Sequence, residues 1–446
     1  MWTPNSWKDF PIQQSVKYPD QNIYNSVTKT LACWPPLVTP GEIDKLKRRL
    51  TLVAEQKSFI LQGGDCAESF QASNTDEITN KFKILLQMSV ILIYGLRKPI
   101  VRVGRIAGQY AKPRSSDSET QNNITLPSYR GDLINQGEFS EHARQPDPNR
   151  MLQGYHHAAM TLNYIRALVN GGFADLHKPH LWDLDFVQHA EHSQDYANII
   201  NAISDALSFV QTIDGLNESS LSKIDDLYTS HEALHLPYET ALTREVEGQW
   251  YNLSTHFPWI GMRTADLNGA HLEYLRGLAN PIAIKIGPSV TPALLSELVK
   301  TLNPQNELGK LMLITRFGAN QIENLLPDLI KATQDSNISV IWSCDPMHGN
   351  TRNTSRGGKT RHFDDIVSEL THAINIHQQQ DSYLGGVHLE LTGENVTECI
   401  GGARGLNEED LERAFKSLVD PRLNYEQSLE VAFQICKQAQ KNNPSE

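Results

Sequence analysis

Three side chains that can bind a transition metal stand at or just after the ends of short apolar runs. They are Cys66, His348 and Glu390, and Asp420 further along the chain could supply a fourth ligand. Thiolate, imidazole and carboxylate together suit a borderline divalent ion such as Mn, Co, Fe or Zn. No local CxxC or HExxH spacing fixes a geometry. Taken singly, the cysteine also suits a buried apolar position and the histidine a loop with its hydrogen bonds satisfied.

A second group of side chains is cationic and lies at or near the ends of similar runs. Its members are Arg105, Lys112, Arg114, Arg263, Lys285 and Arg316. Arginine forks match phosphate and carboxylate groups at two points. Lys285 ends the apolar stretch 282–285, where burial of an unpaired ammonium is costly unless an anion meets it. Arg316 follows an equally apolar stretch, so both residues indicate anion binding, with surface solvation or ion pairing as the alternative for the group.

The apolar runs themselves predict parallel strands, because they are short, rich in β-branched residues and separated by helical stretches. The runs are 58–62, 100–103, 226–229, 257–260, 282–285, 311–314, 340–343 and 387–390. This number of strands predicts an α/β fold, a (β/α)₈ TIM barrel, whose reacting groups collect at the carboxyl ends of the strands. Closure would place the last strand beside the first, so that the metal-binding side chains converge. A doubly wound open sheet is the alternative.

Helix start signals accompany the strands. Asp147-Pro148 opens a helical stretch that Gly171-Gly172 closes, and Thr291-Pro292 opens another. The connection between the second and third strands is too long for a simple crossover, and we expect extra helices inserted at about 147–215. Residues 1–40 show no clear period and predict an irregular arm. We therefore divide the chain into an N-terminal extension, 1–50, and a catalytic barrel, 51–446.

The composition argues against nucleic-acid-binding, membrane and disulfide-rich secreted proteins. The formal net charge of −12 argues against a nucleic-acid or acidic-membrane surface. The 5 cysteines are scattered and odd in number, which favours a reducing cytoplasm over a disulfide framework. The first residues lack the apolar core of a signal peptide, and no run is long and apolar enough to span a membrane. We expect a cytoplasmic protein without nucleic-acid or membrane partners.

Several longer stretches resemble the motifs of one enzyme family, the class II 3-deoxy-D-arabino-heptulosonate 7-phosphate (DAHP) synthases. The matching stretches are 62–70 (QGGDCAESF), 105–115 (RIAGQYAKPRS), 230–234 (SHEAL), 342–351 (WSCDPMHGNT), 392–399 (TGENVTEC) and 420–424 (DPRLN). They run in the family's order along nearly the whole chain, which is far more specific than a single glycine motif.

The resemblance implies a (β/α)₈ barrel that condenses phosphoenolpyruvate with erythrose 4-phosphate and water, the entry step of aromatic amino-acid biosynthesis. The implied metal ligands are Cys66, His348, Glu390 and Asp420. The implied phosphoenolpyruvate site consists of Arg105, Arg263, Lys285 and Arg316. The implied erythrose 4-phosphate site consists of Lys112, Pro113, Arg114 and Ser115, and the implied pocket residues are Glu232, Trp259 and position 262. Mn²⁺ or Co²⁺ is the expected metal, with Zn²⁺, Fe²⁺ and Cd²⁺ as alternatives.

One position departs from the family. An acidic residue usually precedes the motif's arginine, whereas Met262 precedes Arg263 here. This leaves one polar contact in the phosphoenolpyruvate pocket in question. Two alternatives to the main function therefore stay open: a paralogue that serves a secondary aromatic pathway, and a catalytically impaired regulatory barrel. The resemblance also implies a homo-oligomer (dimer or tetramer), an aromatic amino-acid effector and a chorismate mutase partner.

Overall fold

The computed structural model describes residues 2–174 and 227–442, together with the isolated residues 194, 198 and 201. Its centre is a closed barrel of parallel strands. In the order in which they pair around the barrel, the strands are β1 (Phe59–Gly64), β14 (Leu384–Glu390), β11 (Ile341–Cys344), β10 (Leu311–Thr315), β9 (Ile282–Ile286), β8 (Phe257–Ile260), β5 (Tyr228–Glu232) and β2 (Ile100–Arg105). The predicted (β/α)₈ barrel is confirmed, and the open sheet was wrong.

Helices surround the barrel and precede it. They are α1 (Gln21–Cys33), α2 (Pro40–Ala54), α3 (Thr75–Leu96), α4 (Glu141–Arg144), α5 (Asn149–Asn170), α6 (Leu236–Ala241), α7 (Ala270–Arg276), α8 (Pro292–Leu302), α9 (Ile322–Ser336), α10 (Phe363–Gln379) and α11 (Tyr425–Asn442). Short 3₁₀ turns lie at Ser6–Asp9, Phe70–Ala72, Met262–Thr264, His348–Asn350 and Glu408–Arg413. Within the described residues, no helix is long and apolar enough to cross a membrane.

Barrel closure is set by β14, which pairs in parallel with both β1 and β11. Its register places Glu390 opposite Gly64, so the last residue of β14 lies beside the end of β1. Apolar side chains such as Ile60, Trp259 and Ile314 pack together inside the barrel, as expected of a filled rather than hollow barrel. The carboxyl ends of the strands are thereby held at one fixed rim.

The start signals for two helices act as the sequence predicts. α5 begins directly after Asp147-Pro148 and ends before Gly171, and α8 begins at Pro292, with the Thr291 side chain accepting a hydrogen bond from the Leu294 amide. Of the rest of this insertion only residues 194, 198 and 201 are described, so the further helix expected there stays a prediction. Since α2 spans 40–54, it crosses the predicted boundary at residue 50, and the division into two regions stays a prediction.

The N-terminal 40 residues are more regular than the sequence indicates. The Asp20 side chain accepts hydrogen bonds from the amides of Asn22 and Ile23 and so caps α1. Val27 and Leu31, one helical turn apart, are the residues that α1 buries. Because so few apolar residues recur at helical spacing in this segment, the sequence did not predict the helix.

Three small antiparallel hairpins were also missed, because their strands are short and mostly polar. They are β3 (Ser118–Gln121) with β4 (Ile124–Pro127), β6 (Thr243–Val246) with β7 (Gln249–Asn252), and β12 (Thr351–Asn353) with β13 (Lys359–Arg361). The first hairpin follows the segment that the sequence assigns to a phosphate-binding role, and the last carries an arginine into the barrel rim.

Candidate active site

Four potential metal ligands converge at the carboxyl rim of the barrel. Cys66 lies just after β1, His348 in the turn after β11, Glu390 at the end of β14, and Asp420 in the loop before α11. One ligand atom from each residue lies within 4.8 Å of those of the other three. Cys66 and Glu390 are buried, and the side chain of His348 is 21% exposed. Barrel closure therefore brings together residues that are separated by most of the chain.

The orientation of His348 is fixed by a carboxylate behind it. Its Nδ1 lies 2.7 Å from Oδ2 of Asp345, and Oδ1 of the same carboxylate accepts hydrogen bonds from the backbone amides of Met347 and His348. Burial alone would raise the pKa of Asp345, but His348 and Lys285 hold this pKa well below its usual value. This contact orients the imidazole so that Nε2 faces Glu390 and the other candidate ligands.

The charges around the four donors show whether a cation suits them. Nζ of Lys112 lies 2.5 Å from Sγ of Cys66 and 2.6 Å from Oδ2 of Asp420. Burial alone would raise the pKa of Asp420, but the Lys112 ammonium holds this pKa below its ordinary value. The pKa of the Cys66 thiol is raised, first by burial and then by the Glu390 carboxylate. A positive charge thus already lies against two of the donors. The donor set and its electrostatics fit a divalent metal ion.

Glu390 joins this cluster to the cationic group. Its Oε1 lies 3.0 Å from Nε2 of His348 and 3.1 Å from Nη2 of Arg105, at the end of β2. Arg105 also donates to the carbonyl of Cys66 at 3.0 Å, and its guanidinium lies 5.4 Å from the ring centroid of Trp259. One carboxylate therefore joins the candidate metal ligands to the cationic group.

The remaining cations predicted for phosphoenolpyruvate lie on successive strands. Lys285, in β9, is buried and paired with Asp345. Burial lowers the pKa of Lys285 to about 8, against the opposing effect of Asp345. Arg316 follows β10, and its Nη2 donates to the carbonyl of His348 at 2.8 Å. Arg263 is exposed on the turn after β8. Lys285 and Arg316 thus contact residues at and just before the turn that contains His348, whereas Arg263 is exposed at the rim.

Several buried polar atoms at this rim lack partners. Among the described residues, Nε of Arg105, Nε of Arg316 and Oε1 of Glu232 are buried without a hydrogen-bond partner. Glu232 ends β5, and a Cβ on Gly261 would come within 1.9 Å of its Oε1. Burial raises the pKa of Glu232. Buried polar groups are almost always hydrogen-bonded in proteins, so these atoms are candidates for contacts to a polar ligand.

The segment predicted to bind the aldose phosphate divides between two locations. Lys112 is buried against Cys66 and Asp420, two of the four candidate metal ligands, whereas Ser115 is exposed. Pro113 and Arg114 are partly buried between them, and Nη2 of Arg114 lies 2.6 Å from Oε1 of Glu119 in β3. Lys112 therefore lies against two of the candidate metal ligands, whereas Arg114 pairs with the β3–β4 hairpin.

Sequence reasoning missed three buried residues of the site. Arg361 is fully buried with Nη2 2.8 Å from Oε2 of Glu390, and His388 lies 2.8 Å from Nη1 of Arg105. Asp345 holds Lys285 and His348 as described above. Two signals could have found them: His388 precedes Glu390 by two residues, so both face the same side of β14, and Asp345 directly follows β11. Nothing local in the sequence marks Arg361.

Comparison with known proteins gives one consistent result. The chain matches the model of the class-II DAHP synthetase family over residues 2–436. It is 47% identical over 453 aligned residues to the phospho-2-dehydro-3-deoxyheptonate aldolase of Neurospora crassa, covering 98% of this chain and 94% of that protein. It is 44% identical over 435 residues to the protein of the same name from Streptomyces coelicolor, covering 97% and 96%. The corresponding AroG protein of Mycolicibacterium smegmatis is 44% identical over 425 residues, covering 94% and 90%.

Proposed function

The chain belongs to the class-II DAHP synthetase family, and we propose that it condenses phosphoenolpyruvate with erythrose 4-phosphate and water to give DAHP and phosphate. The observation that carries this proposal is the position of Glu390. Its Oε1 lies between the imidazole of a metal-ligand candidate, His348, and the guanidinium of an anion-binding candidate, Arg105. A site for joining two anionic substrates at a carbonyl needs these two functions side by side.

Cys66, His348, Glu390 and Asp420 would hold the divalent metal. Their convergence and their mixture of thiolate, imidazole and carboxylate support this role. Mn²⁺ or Co²⁺ is the proposed ion, with Zn²⁺, Fe²⁺ and Cd²⁺ as alternatives. When bound, the ion supplies Lewis-acid polarisation of the aldehyde oxygen of erythrose 4-phosphate.

The cationic group would bind and orient phosphoenolpyruvate. Arg105, Lys285 and Arg316 lie around the metal-ligand candidates, and Arg263 would close the phosphate site from the rim. The unpartnered Nε atoms of Arg105 and Arg316 supply donors for phosphate or carboxylate oxygens. Trp259, which is buried beside Arg105, limits the pocket on one side. These residues hold C3 of phosphoenolpyruvate near the aldehyde, and this ordering of two anions is the main task of the protein.

The reaction balances without a further co-reactant. The C2=C3 double bond of phosphoenolpyruvate opens as C3 bonds to the aldehyde carbon, whose oxygen takes up a proton. Water bonds to C2 and loses a proton. The bond from C2 to the phosphate oxygen then breaks to release phosphate, and the C2 hydroxyl loses its proton to become the ketone of DAHP. Glu232 is the candidate proton acceptor for that water, because it offers a buried, unpartnered oxygen. Although burial lowers the pKa of Lys112, Cys66 and Asp420 raise it, so Lys112 is an ammonium and can only donate.

Phosphate release tests the proposal directly. Purified protein with Mn²⁺ should release phosphate only when both substrates are present, and mass spectrometry should find DAHP in equal amount. Phosphoenolpyruvate alone and erythrose 4-phosphate alone are the matched controls. Release of phosphate from either substrate alone, without a condensed product, would identify a phosphatase and overturn the proposal.

The impaired regulatory barrel is the second candidate, and Met262 is the single observation that favours it. A paralogue in a secondary aromatic pathway would share the same site and chemistry. A homo-oligomer, an aromatic amino-acid effector, a chorismate mutase partner and a cytoplasmic location stay predictions.

A further inference from the structure

The N-terminal segment before α1 is attached to the barrel at several points. Trp2 donates from its indole to the carbonyl of Glu273 at 2.8 Å, and Trp7 donates to Oγ1 of Thr240 at 2.8 Å. Near the end of the segment, the hydroxyl of Tyr18 lies 2.9 Å from Nε2 of His235. These contacts hold the two ends of the N-terminal segment on the elements that follow β5 and β8. Its middle part lies against residues 112–115, the stretch predicted to bind erythrose 4-phosphate.

The side chain of Gln14 forms a two-point contact in this middle part. Its Nε2 donates to the carbonyl of Arg114 at 3.0 Å, and its Oε1 accepts from the amide of Arg114 at 2.8 Å. One amide group thus satisfies both backbone groups of a single residue, as a neighbouring strand would. Two simultaneous hydrogen bonds fix the direction of the Arg114 backbone as well as its distance.

The backbone of Gln14 is in an unusual conformation. Its φ of 58° lies in the left-handed region, which residues other than glycine adopt infrequently because Cβ then crowds the backbone. Such conformations persist where the surrounding contacts determine them, and they cluster at functional positions. Glycine would suit the backbone better, so the contact made by the side chain is the physical reason for glutamine here.

Arg114 is held from its other side by the hairpin. Its guanidinium pairs with Oε1 of Glu119 at 2.6 Å, while Oε2 of Glu119 lies 2.8 Å from Arg144. Two residues earlier, Lys112 contacts Cys66 and Asp420 of the metal cluster. The segment from Lys112 to Arg114 is therefore fixed at three points, and one of them comes from the N-terminal segment.

We propose that Gln14 is a positioning residue for the erythrose 4-phosphate site, acting through the backbone of Arg114. The inference rests on the proposed function and on the phosphate-binding role of residues 112–115. It places the N-terminal segment behind the erythrose 4-phosphate site, where it supports the binding of one substrate and not the other. Gln14 contacts neither substrate, so its effect is on the geometry of the phosphate site.

The test compares Michaelis constants for the two substrates. Gln14→Met keeps most of the side-chain volume and removes both hydrogen bonds to Arg114, together with a longer contact of 3.4 Å from Arg130, and the KM for erythrose 4-phosphate should rise roughly tenfold. The KM for phosphoenolpyruvate and the kcat should change less than about twofold. Gln13, the exposed neighbour, gives the matched control, and Gln13→Met should leave both KM values unchanged.

Gln14→Gly separates backbone strain from the side-chain contact. It relieves the left-handed conformation, so a purely structural role for Gln14 predicts an unchanged KM with an equal or higher melting temperature. The proposed role predicts a raised KM for erythrose 4-phosphate in Gln14→Gly too. Unchanged erythrose 4-phosphate KM in both Gln14 variants, or an equal rise for both substrates, would overturn the inference. Wild-type protein that forms no DAHP would instead overturn the proposed function.

Discussion

Nη1 of Arg316 lies 2.7 Å from Sδ of Met262. The contact crosses the end of β9, where a Cβ on Gly287 would come within 2.2 Å of the same sulfur. A thioether is only a weak acceptor, whereas the acidic residue usual in the family would form an ion pair with the guanidinium. Arg316 nevertheless keeps a full hydrogen bond to the carbonyl of His348. Its position therefore does not depend on a carboxylate at residue 262.

The first prediction follows for Met262. Met262→Ala should change kcat by less than about tenfold, because Arg316 is also held by the His348 carbonyl. Arg263→Ala, the neighbouring comparison, should lose about a hundredfold through the missing phosphate contact. Steady-state phosphate release measures both.

Met262→Glu restores the family's usual chemistry at this position. We expect little change in turnover, since the new carboxylate would only duplicate a restraint on Arg316. A large gain would show that the native protein is weakened, and it would favour the regulatory barrel over the enzyme.

A second prediction concerns Lys285, whose ammonium is buried and pairs with Asp345. Lys285→Met should lower kcat/KM for phosphoenolpyruvate roughly 30- to 1,000-fold, through loss of transition-state charge stabilisation. Lys300→Met, on the exposed face of α8, is the control and should behave like wild type. Wild-type kinetics in Lys285→Met would mean that the lysine has only a structural role.

The third prediction concerns bond cleavage. Because water bonds to C2 in the proposed reaction, phosphate leaves with the oxygen that linked it to C2. In water labelled with heavy oxygen, the released phosphate should contain no label. A phosphatase, whose water attacks phosphorus, would incorporate label under the same conditions, and label in the phosphate would contradict the proposed order of bonds.

A fourth prediction uses Lys310, at the opposite end of β10 from Arg316. Its ammonium nitrogen is buried and donates to the carbonyls of Leu278 and Asn280. Burial and the nearby Lys47 lower the pKa of Lys310 to about 7, while Glu307 opposes the shift. Above that pH the folded protein holds Lys310 neutral, whereas the unfolded chain stays protonated to about pH 10. The unfolded state then binds more protons, so this residue makes stability rise with pH.

Denaturant unfolding at two pH values measures this linkage. Between about pH 7 and pH 9, the free energy of unfolding of wild type should rise by about 2 kcal/mol relative to Lys310→Met. Lys331→Met, an exposed lysine on α9, should show no such difference from wild type. A difference between wild type and Lys310→Met that is independent of pH would show that the buried lysine stays charged.

The barrel could be predicted from the sequence because most of its strands contain a short apolar run, as in β9 and β10, which parallel strands covered on both faces require. The convergence of Cys66, His348 and Glu390 followed from closure of the barrel and from the rule that reacting groups lie at the strand ends. The distances between these residues could not be predicted, because they depend on the register in which β14 pairs with β1 and β11.

Other features depend on tertiary contacts that no local pattern contains. Lys112 was assigned to a phosphate, but its position beside Cys66 is set by the path of the loop after β2. Arg361 reaches Glu390 from the short hairpin that follows β11. α1 was missed because its buried face contains only Val27 and Leu31. In each case a distant part of the chain determines the outcome.

The central claim is that Cys66, His348, Glu390 and Asp420 form a divalent metal site. Its most direct test is metal content, measured by equilibrium dialysis of metal-stripped protein against Mn²⁺. Wild type and Cys436→Ser, a buried cysteine that contacts the carbonyl of Ile91 instead, should each bind about one ion per chain. Cys66→Ser should bind far less at the same free Mn²⁺ concentration, with an unchanged circular dichroism spectrum, because a hydroxyl is a much weaker ligand than a thiolate. Equal Mn²⁺ binding by Cys66→Ser and wild type would contradict the claim.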